Sequence, residues 1–204
     1  MQDILDLAES KRRRALRLLE RLELFDLWRR YGEPVLVGAV RYGMVGALDI
    51  DMEVYSGQPE LRQGFDVMAQ AAARPEVQEV RFVNALDTPD RGFYWSLSVR
   101  DEEGESWKID CWHVAHDHPD AHWAERFADS VLRVLTAETR RAILTLKSEL
   151  RGTPGVRGVD LCRAVLEAGV RDSEQFRRWF SANPPATGML YWLPEGATQP
   201  LERN

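Results

Sequence analysis

Apolar residues recur at helical spacing through the opening of the chain, at Leu5, Ala8, Ala15, Leu18, Leu19, Leu22, Phe25 and Trp28. This pattern predicts a helix from about Gln2 to Tyr31, ended by Gly32 and Pro34. The period then changes. A short apolar run at Val35 to Val37 is followed by strict alternation, with Asp49, Asp51 and Glu53 pointing one way and Ile50, Met52 and Val54 the other, which is the period of a strand. Pro59 to Ala73 returns to helical spacing, with Leu61, Phe65, Met68 and Ala72 on one side. Three strand-like runs come next: Val77 to Leu86, Gly92 to Arg100 and Glu105 to Val114. The turn chemistry of Asp87-Thr-Pro-Asp-Arg-Gly92 and Asp101-Glu-Glu-Gly104 between them predicts an antiparallel meander.

The final third reads as helical. Pro119 to Leu135 and Thr136 to Arg151 carry apolar periodicity, with Thr136 as a candidate cap. A Gly152-Thr-Pro-Gly155 break follows, then a short pair at Gly158 to Ala168, ended by Gly169, and at Asp172 to Ser181, with Asp172 in a capping position. The tail from Asn183 is rich in proline and glycine and is expected to be irregular. The sum is an α+β fold: a mixed sheet of about five strands with flanking helices, plus a C-terminal helical segment.

The acids on the second strand change the picture. Asp49, Asp51 and Glu53 line one face of a core-like strand, which is costly unless something positive sits against them. A divalent metal is the simplest candidate; a wet polar face on an edge strand is the alternative. In Glu105 to His113, alternation puts Ile109, Cys111 and His113 on one face and Lys108, Asp110 and Trp112 on the other. Lys108 is the simplest partner for Asp110. If the two strands are neighbours, Asp49, Asp51 and Asp110 converge. Three carboxylates suit octahedral Mg²⁺, which keeps waters and takes its remaining oxygens from substrate phosphates.

The order of Gly38-Ala39, a gap of about ten residues, the Asp49-Ile-Asp51 strand and the later lone Asp110 resembles the nucleotidyltransferase superfamily typified by DNA polymerase beta. The resemblance covers roughly Val35 to Val114. It implies a nucleotidyltransferase-like core with the N-terminal helix over residues 1–118 and a helical region packed on it over 119–204. It also implies Asp49 and Asp51 as metal-binding acids, Asp110 as the third acid and second metal contact, and Gly38 and Ala39 as the phosphate-binding pair. The implied reaction is Mg²⁺-dependent transfer of a nucleoside monophosphate from a nucleoside triphosphate to an acceptor hydroxyl. The family usually places Ser where Ala39 stands, and small polar residues where Ala47-Leu48 stand. Without that hydroxyl, the backbone amides of Gly38 and Ala39 are left to form an anion-binding concavity, with Arg41 adding charge. Two other readings stay open: an inactive relative that binds a nucleotide without chemistry, and an interaction domain whose acids are structural, paired with Lys108 and Arg41.

Composition narrows the partners. At 204 residues the chain suits one domain, or one with a small appendage, and its net charge of −6 argues against a broad nucleic-acid surface. Cys111 and Cys162 form no disulfide framework. MQDILDLAESKRRR does not read as a secretory signal, and no apolar stretch approaches the ~20 residues that span a bilayer. The expectation is a cytoplasmic protein without membrane contact, working on a nucleoside triphosphate and an unidentified acceptor. Lys11 to Arg14 is a basic run, read as a solvated face or a contact to a polyanion. Arg140, Arg141 and Lys147 are read the same way, with Arg140 or Lys147 in reach of a triphosphate. The four histidines, His113, His116, His118 and His122, fall together. They suit a polar loop, a substrate contact or a structural metal.

Overall fold

The computed structural model of the chain describes residues 3–185 and 190–196. Helix α1 (Ile4–Arg21) is capped by the Asp3 carboxylate, which accepts the Leu5 N–H at 3.0 Å. The single opening helix predicted to Tyr31 is broken. Glu23 takes a left-handed conformation (φ 52°) and a second helix, α2 (Leu24–Arg29), sets off in a new direction. Leu22 and Leu24 would lie about 200° apart on a straight helix, yet both are fully buried, as is Trp28. The break lets one short segment bury all three.

The chain then forms β1 (Glu33–Val37), the single turn α3 (Gly38–Arg41), β2 (Asp49–Ser56), α4 (Leu61–Ala72), β3 (Val77–Asn84), β4 (Phe93–Arg100) and β5 (Ser106–Ala115). The five strands make one mixed sheet in the order β1-β2-β5-β4-β3. β3, β4 and β5 form the expected antiparallel meander, β1 pairs antiparallel with β2, and β2 meets β5 in parallel. That one parallel contact brings the two acid-bearing strands side by side.

One face of the sheet, with Ile50, Met52, Ile109, Cys111, Trp95 and Leu97, packs under α1, α2 and α4. Helix α4 lies close because Gly64 has no side chain: a Cβ there would stand 2.5 Å from the Trp95 ring. At the meander turn, Asp101 accepts hydrogen bonds from Arg14 Nε at 2.9 Å and Trp107 Nε1 at 2.8 Å, fastening α1 to the sheet. The basic run divides: Arg13 is exposed, Lys11 and Arg12 donate to the Gly46 and Val40 carbonyls at 2.8 and 2.9 Å, and Arg14 is buried.

A second core, with Tyr42, Met44, Val131, Ile143, Leu146, Leu161 and Phe176, is built from the loop after α3 and four further helices. These are α5 (Trp123–Val134), α6 (Ala137–Glu149), α7 (Gly158–Leu166) and α8 (Ser173–Ala182). Ala8 of α1 also enters it, so the first helix joins both cores. Helix α5 starts at Trp123 rather than Pro119, because His118 to Ala121 turn first and His122 is left-handed (φ 62°). The two predicted caps hold: Thr136 accepts from the Thr139 N–H and Asp172 from the Gln175 N–H, at 3.2 and 2.8 Å. Residues 190–196 carry neither helix nor strand, and the rest of the predicted tail beyond Pro185 lies outside the described residues. Among the described residues, no helix is long and apolar enough to cross a membrane.

Candidate active site

The parallel register of β2 and β5 sets Asp51 opposite Asp110 and Asp49 opposite Lys108. On the other side of β5, Ser96 stands opposite Asp110 and Ser98 opposite Lys108. All these side chains share the face turned away from α4. The convergence predicted from two separated segments is therefore present: Asp49, Asp51 and Asp110 occupy neighbouring positions on one surface. Asp49 and Asp51 open onto a cleft of about 450 Å³ whose lining also includes Gly38 and Ala39, while Asp110 lies beside it and not in its wall. Its opposite wall carries Lys11, Lys147, Ser148, Arg151 and Arg157. A neighbouring cleft of about 380 Å³ runs over β3 to β5, lined by Glu79, Arg81, Ser96, Ser98 and Lys108. The two share Ala47, Asp49 and Arg151.

Gly38 is required by its place. Its φ is +62°, and a Cβ there would fall 2.1 Å from Oδ2 of Asp51. Only glycine lets the β1–α3 turn lie directly on that carboxylate. Ala39 follows it into the cleft wall with no hydroxyl to offer.

The acids differ in what surrounds them. Among the described residues, neither the Asp49 nor the Asp51 carboxylate accepts a hydrogen bond. Asp51 is pushed up to about 6 by burial and then by the charges of Asp49 and Asp110, against a smaller pull from Lys147 and Lys108. Asp110, by contrast, accepts the Tyr94 hydroxyl at 2.6 Å on Oδ1 and the Lys108 ammonium at 2.8 Å on Oδ2. Glu53, the next acid on the same face of β2, receives the Tyr55 hydroxyl. Among the described residues, no three carboxylate, imidazole or thiol groups close into a ready-made metal cage.

Arg41 is placed elsewhere. Its guanidinium grips Asp129 of α5 at 2.7 and 3.0 Å and donates to the Leu36 carbonyl at 3.0 Å. Besides Lys108 on β5, the cations that face the acids come from distant helices. Lys147 of α6 donates to the Met44 carbonyl at 2.9 Å and lies 5.7 Å from the Tyr42 ring centre, while Lys11 reaches in from α1. A Cβ on Gly46 would stand 3.2 Å from the Lys147 stem, so the loop into β2 is clamped between these two lysines. Of the other helix cations, Arg141 pairs with Asp3 at 2.7 Å and Arg140 donates to the Tyr42 carbonyl at 3.4 Å. No motif marks Lys11 or Lys147 in the sequence. Their only signal is a place on a helical face, which also suits plain solvation.

The histidines divide. His113 is buried in the first core, shares a 2.8 Å hydrogen bond with Ser56 and is pushed down to about 4 by burial. His116 and His122 lie beside the Tyr55 ring, and His122 pairs with Glu125 at 2.7 Å. His118 accepts the Asp120 N–H at 3.0 Å. Loop closure accounts for these contacts. Both cysteines are fully buried and burial pushes their thiols up, which removes them as nucleophiles.

No known protein family matches the chain by sequence, and no curated protein does either. Solved structures do match. Cid1 in complex with its short product ApU superposes with a TM-score of 0.58 at 16% identity, over 78% of this chain and 48% of that one. The Cid1 poly(U) polymerase bound to MgGTP gives 0.56 at 18% identity, over 78% and 50%. The GLD-2/RNP-8 complex gives 0.51 at 13% identity, over 77% and 58%. At such identity the likeness is one of fold. The chain shares the nucleotidyltransferase-like α+β fold of these structures and spans about half their length. The expectation of no nucleic-acid surface gains no support from them, since one holds ApU.

Proposed function

We propose that this chain transfers a nucleoside monophosphate from a nucleoside triphosphate to an acceptor hydroxyl, with Asp49 and Asp51 as the metal-binding acids. One observation carries the reading: two carboxylates without hydrogen-bond partners are crowded at the edge of a cleft whose far wall is cationic. The Cid1 structures with MgGTP and MgATP suggest the ion. The residues here fit it, because hard carboxylate oxygens suit Mg²⁺ and a divalent charge relieves the repulsion around Asp51. Bound to those acids, Mg²⁺ supplies positive charge to the triphosphate and to the departing pyrophosphate.

The chain's own residues do the rest. Lys11, Lys147 and Arg151 draw the phosphates to the far wall, and Ser148 offers a hydroxyl there in place of the one Ala39 lacks. The acceptor oxygen forms a bond to the α-phosphorus while the bond from that phosphorus to the bridging oxygen breaks. Pyrophosphate leaves, and the acceptor proton passes to Asp110. The acceptor approaches over Ser96 and Ser98, from the cleft that meets the first at Asp49.

Thermal unfolding with each nucleoside triphosphate, with and without Mg²⁺, tests this on the wild type and on Asp51→Asn. A ligand at a hundred times its dissociation constant stabilises by ~2.7 kcal/mol, which at ~2–4 °C per kcal/mol raises the midpoint by roughly 5–10 °C. The expected result is a metal-dependent rise that the variant loses. Indifference to every nucleotide overturns the reading. Ala39 favours one rival, nucleotide binding without transfer; a shift with no pyrophosphate released in the presence of any hydroxyl acceptor would select it.

A further inference from the structure

We infer that this site holds one divalent cation, on Asp49 and Asp51, and that the Lys108 ammonium fixed on Asp110 takes the place of a second. The inference rests on the nucleotidyl-transfer reading above and deepens it. Three carboxylates on one surface invite two metals, one of them shared with Asp110. The contacts of Asp110 argue otherwise. Each of its oxygens already accepts a hydrogen bond, Oδ1 from the Tyr94 hydroxyl at 2.6 Å and Oδ2 from Lys108 Nζ at 2.8 Å.

These donors are built in. Lys108 precedes Asp110 by two residues, so strand alternation puts both on one face, and the parallel register sets Lys108 directly opposite Asp49. Its ammonium also lies 6.0 Å from the Tyr94 ring centre, so the aromatic group that bonds one oxygen of Asp110 flanks the cation on the other. A metal on Asp110 would stand beside this ammonium, like charge against like charge. Among the described residues, Asp49 and Asp51 carry no such donors. Lys108 then supplies a fixed positive charge next to the proton acceptor, on the side from which the acceptor hydroxyl approaches.

Manganese binding, followed by electron paramagnetic resonance with a triphosphate analogue carrying an α,β-imido bridge, counts the ions per chain. The wild type is expected to bind one. Lys108→Ala is expected to bind two, with the broadening of a coupled pair, and the double variant Lys108→Ala with Asp110→Asn to return to one. Should Lys108→Ala fail to fold by circular dichroism, Lys108→Met keeps the aliphatic stem and carries the same expectation. Two ions in the wild type would overturn the inference and leave the nucleotidyl-transfer reading standing. One ion in both single-site variants at Lys108 would overturn it as well, since Lys108 would then exclude nothing. No ion in any form would overturn the inference together with the reading it rests on.

Discussion

Asp51 and Asp110 face each other across two parallel strands, yet they are opposite kinds of carboxylate. Asp51 is partly buried against the Gly38 backbone; among the described residues its carboxylate has no hydrogen-bond donor, and two other negative charges stand near it. Asp110 keeps 19% of its side chain exposed and has a donor on each oxygen. The first is a destabilised anion waiting for a cation. The second already has one. Position in a sheet thus decides which acids meet, while the neighbours of each decide what it does there.

The sharpest way to break this comparison is to neutralise each acid in the metal-free protein. In Asp51 the folded value of about 6 lies above the usual 3.8, so its favourable contribution is complete below 3.8 and is lost as pH rises through 6. Above pH 7 the ionised group therefore opposes folding, by up to about 3 kcal/mol. Asp51→Asn is expected to raise stability there by about 1–3 kcal/mol, measured by urea unfolding. Asp110→Asn is expected to lower it by about 1–3 kcal/mol, since it strips Lys108 and Tyr94 of a charged partner. Changes of the same sign in both variants would end the distinction.

Acidity provides a second handle. Mg²⁺ needs Asp51 ionised, so calorimetric titration should show affinity steady above pH 7 and weakening by about tenfold per unit once pH falls below the Asp51 value of about 6. A pH-independent affinity between 5 and 8 would place the ion away from Asp51. The smallest expected effect concerns the phosphate pair. Ala39→Ser adds a hydroxyl to the cleft wall beside Gly38, and one new hydrogen bond of ~1 kcal/mol corresponds to about fivefold tighter triphosphate binding. No gain by equilibrium binding would show that the triphosphate does not pass position 39.

Much of the architecture was legible from local pattern. Strand alternation at Asp49 to Val54 and in Glu105 to His113 assigned the acids to their faces, and the turn sequences of the meander predicted its pairing. The caps at Thr136 and Asp172 were readable because a cap reaches only three residues forward. The break at Glu23 was not, because Phe25 and Trp28 extend the helical period unchanged and only the packed core rejects a straight helix.

The site shows the same division. Sequence alone determined that Asp49, Asp51 and Asp110 could share one surface, because periodicity and order along the chain are local properties. It even placed Lys108 beside Asp110, two residues away on the same strand face. Tertiary structure decided which cation each anion meets. Arg41 went to Asp129, 88 residues on, and Lys147 came to the acids from α6. Tyr94 reached Asp110 from a neighbouring strand. Those partnerships depend on strand order, register and the seating of helices, and side chains far apart in sequence acquire a distance only when the whole sheet is assembled.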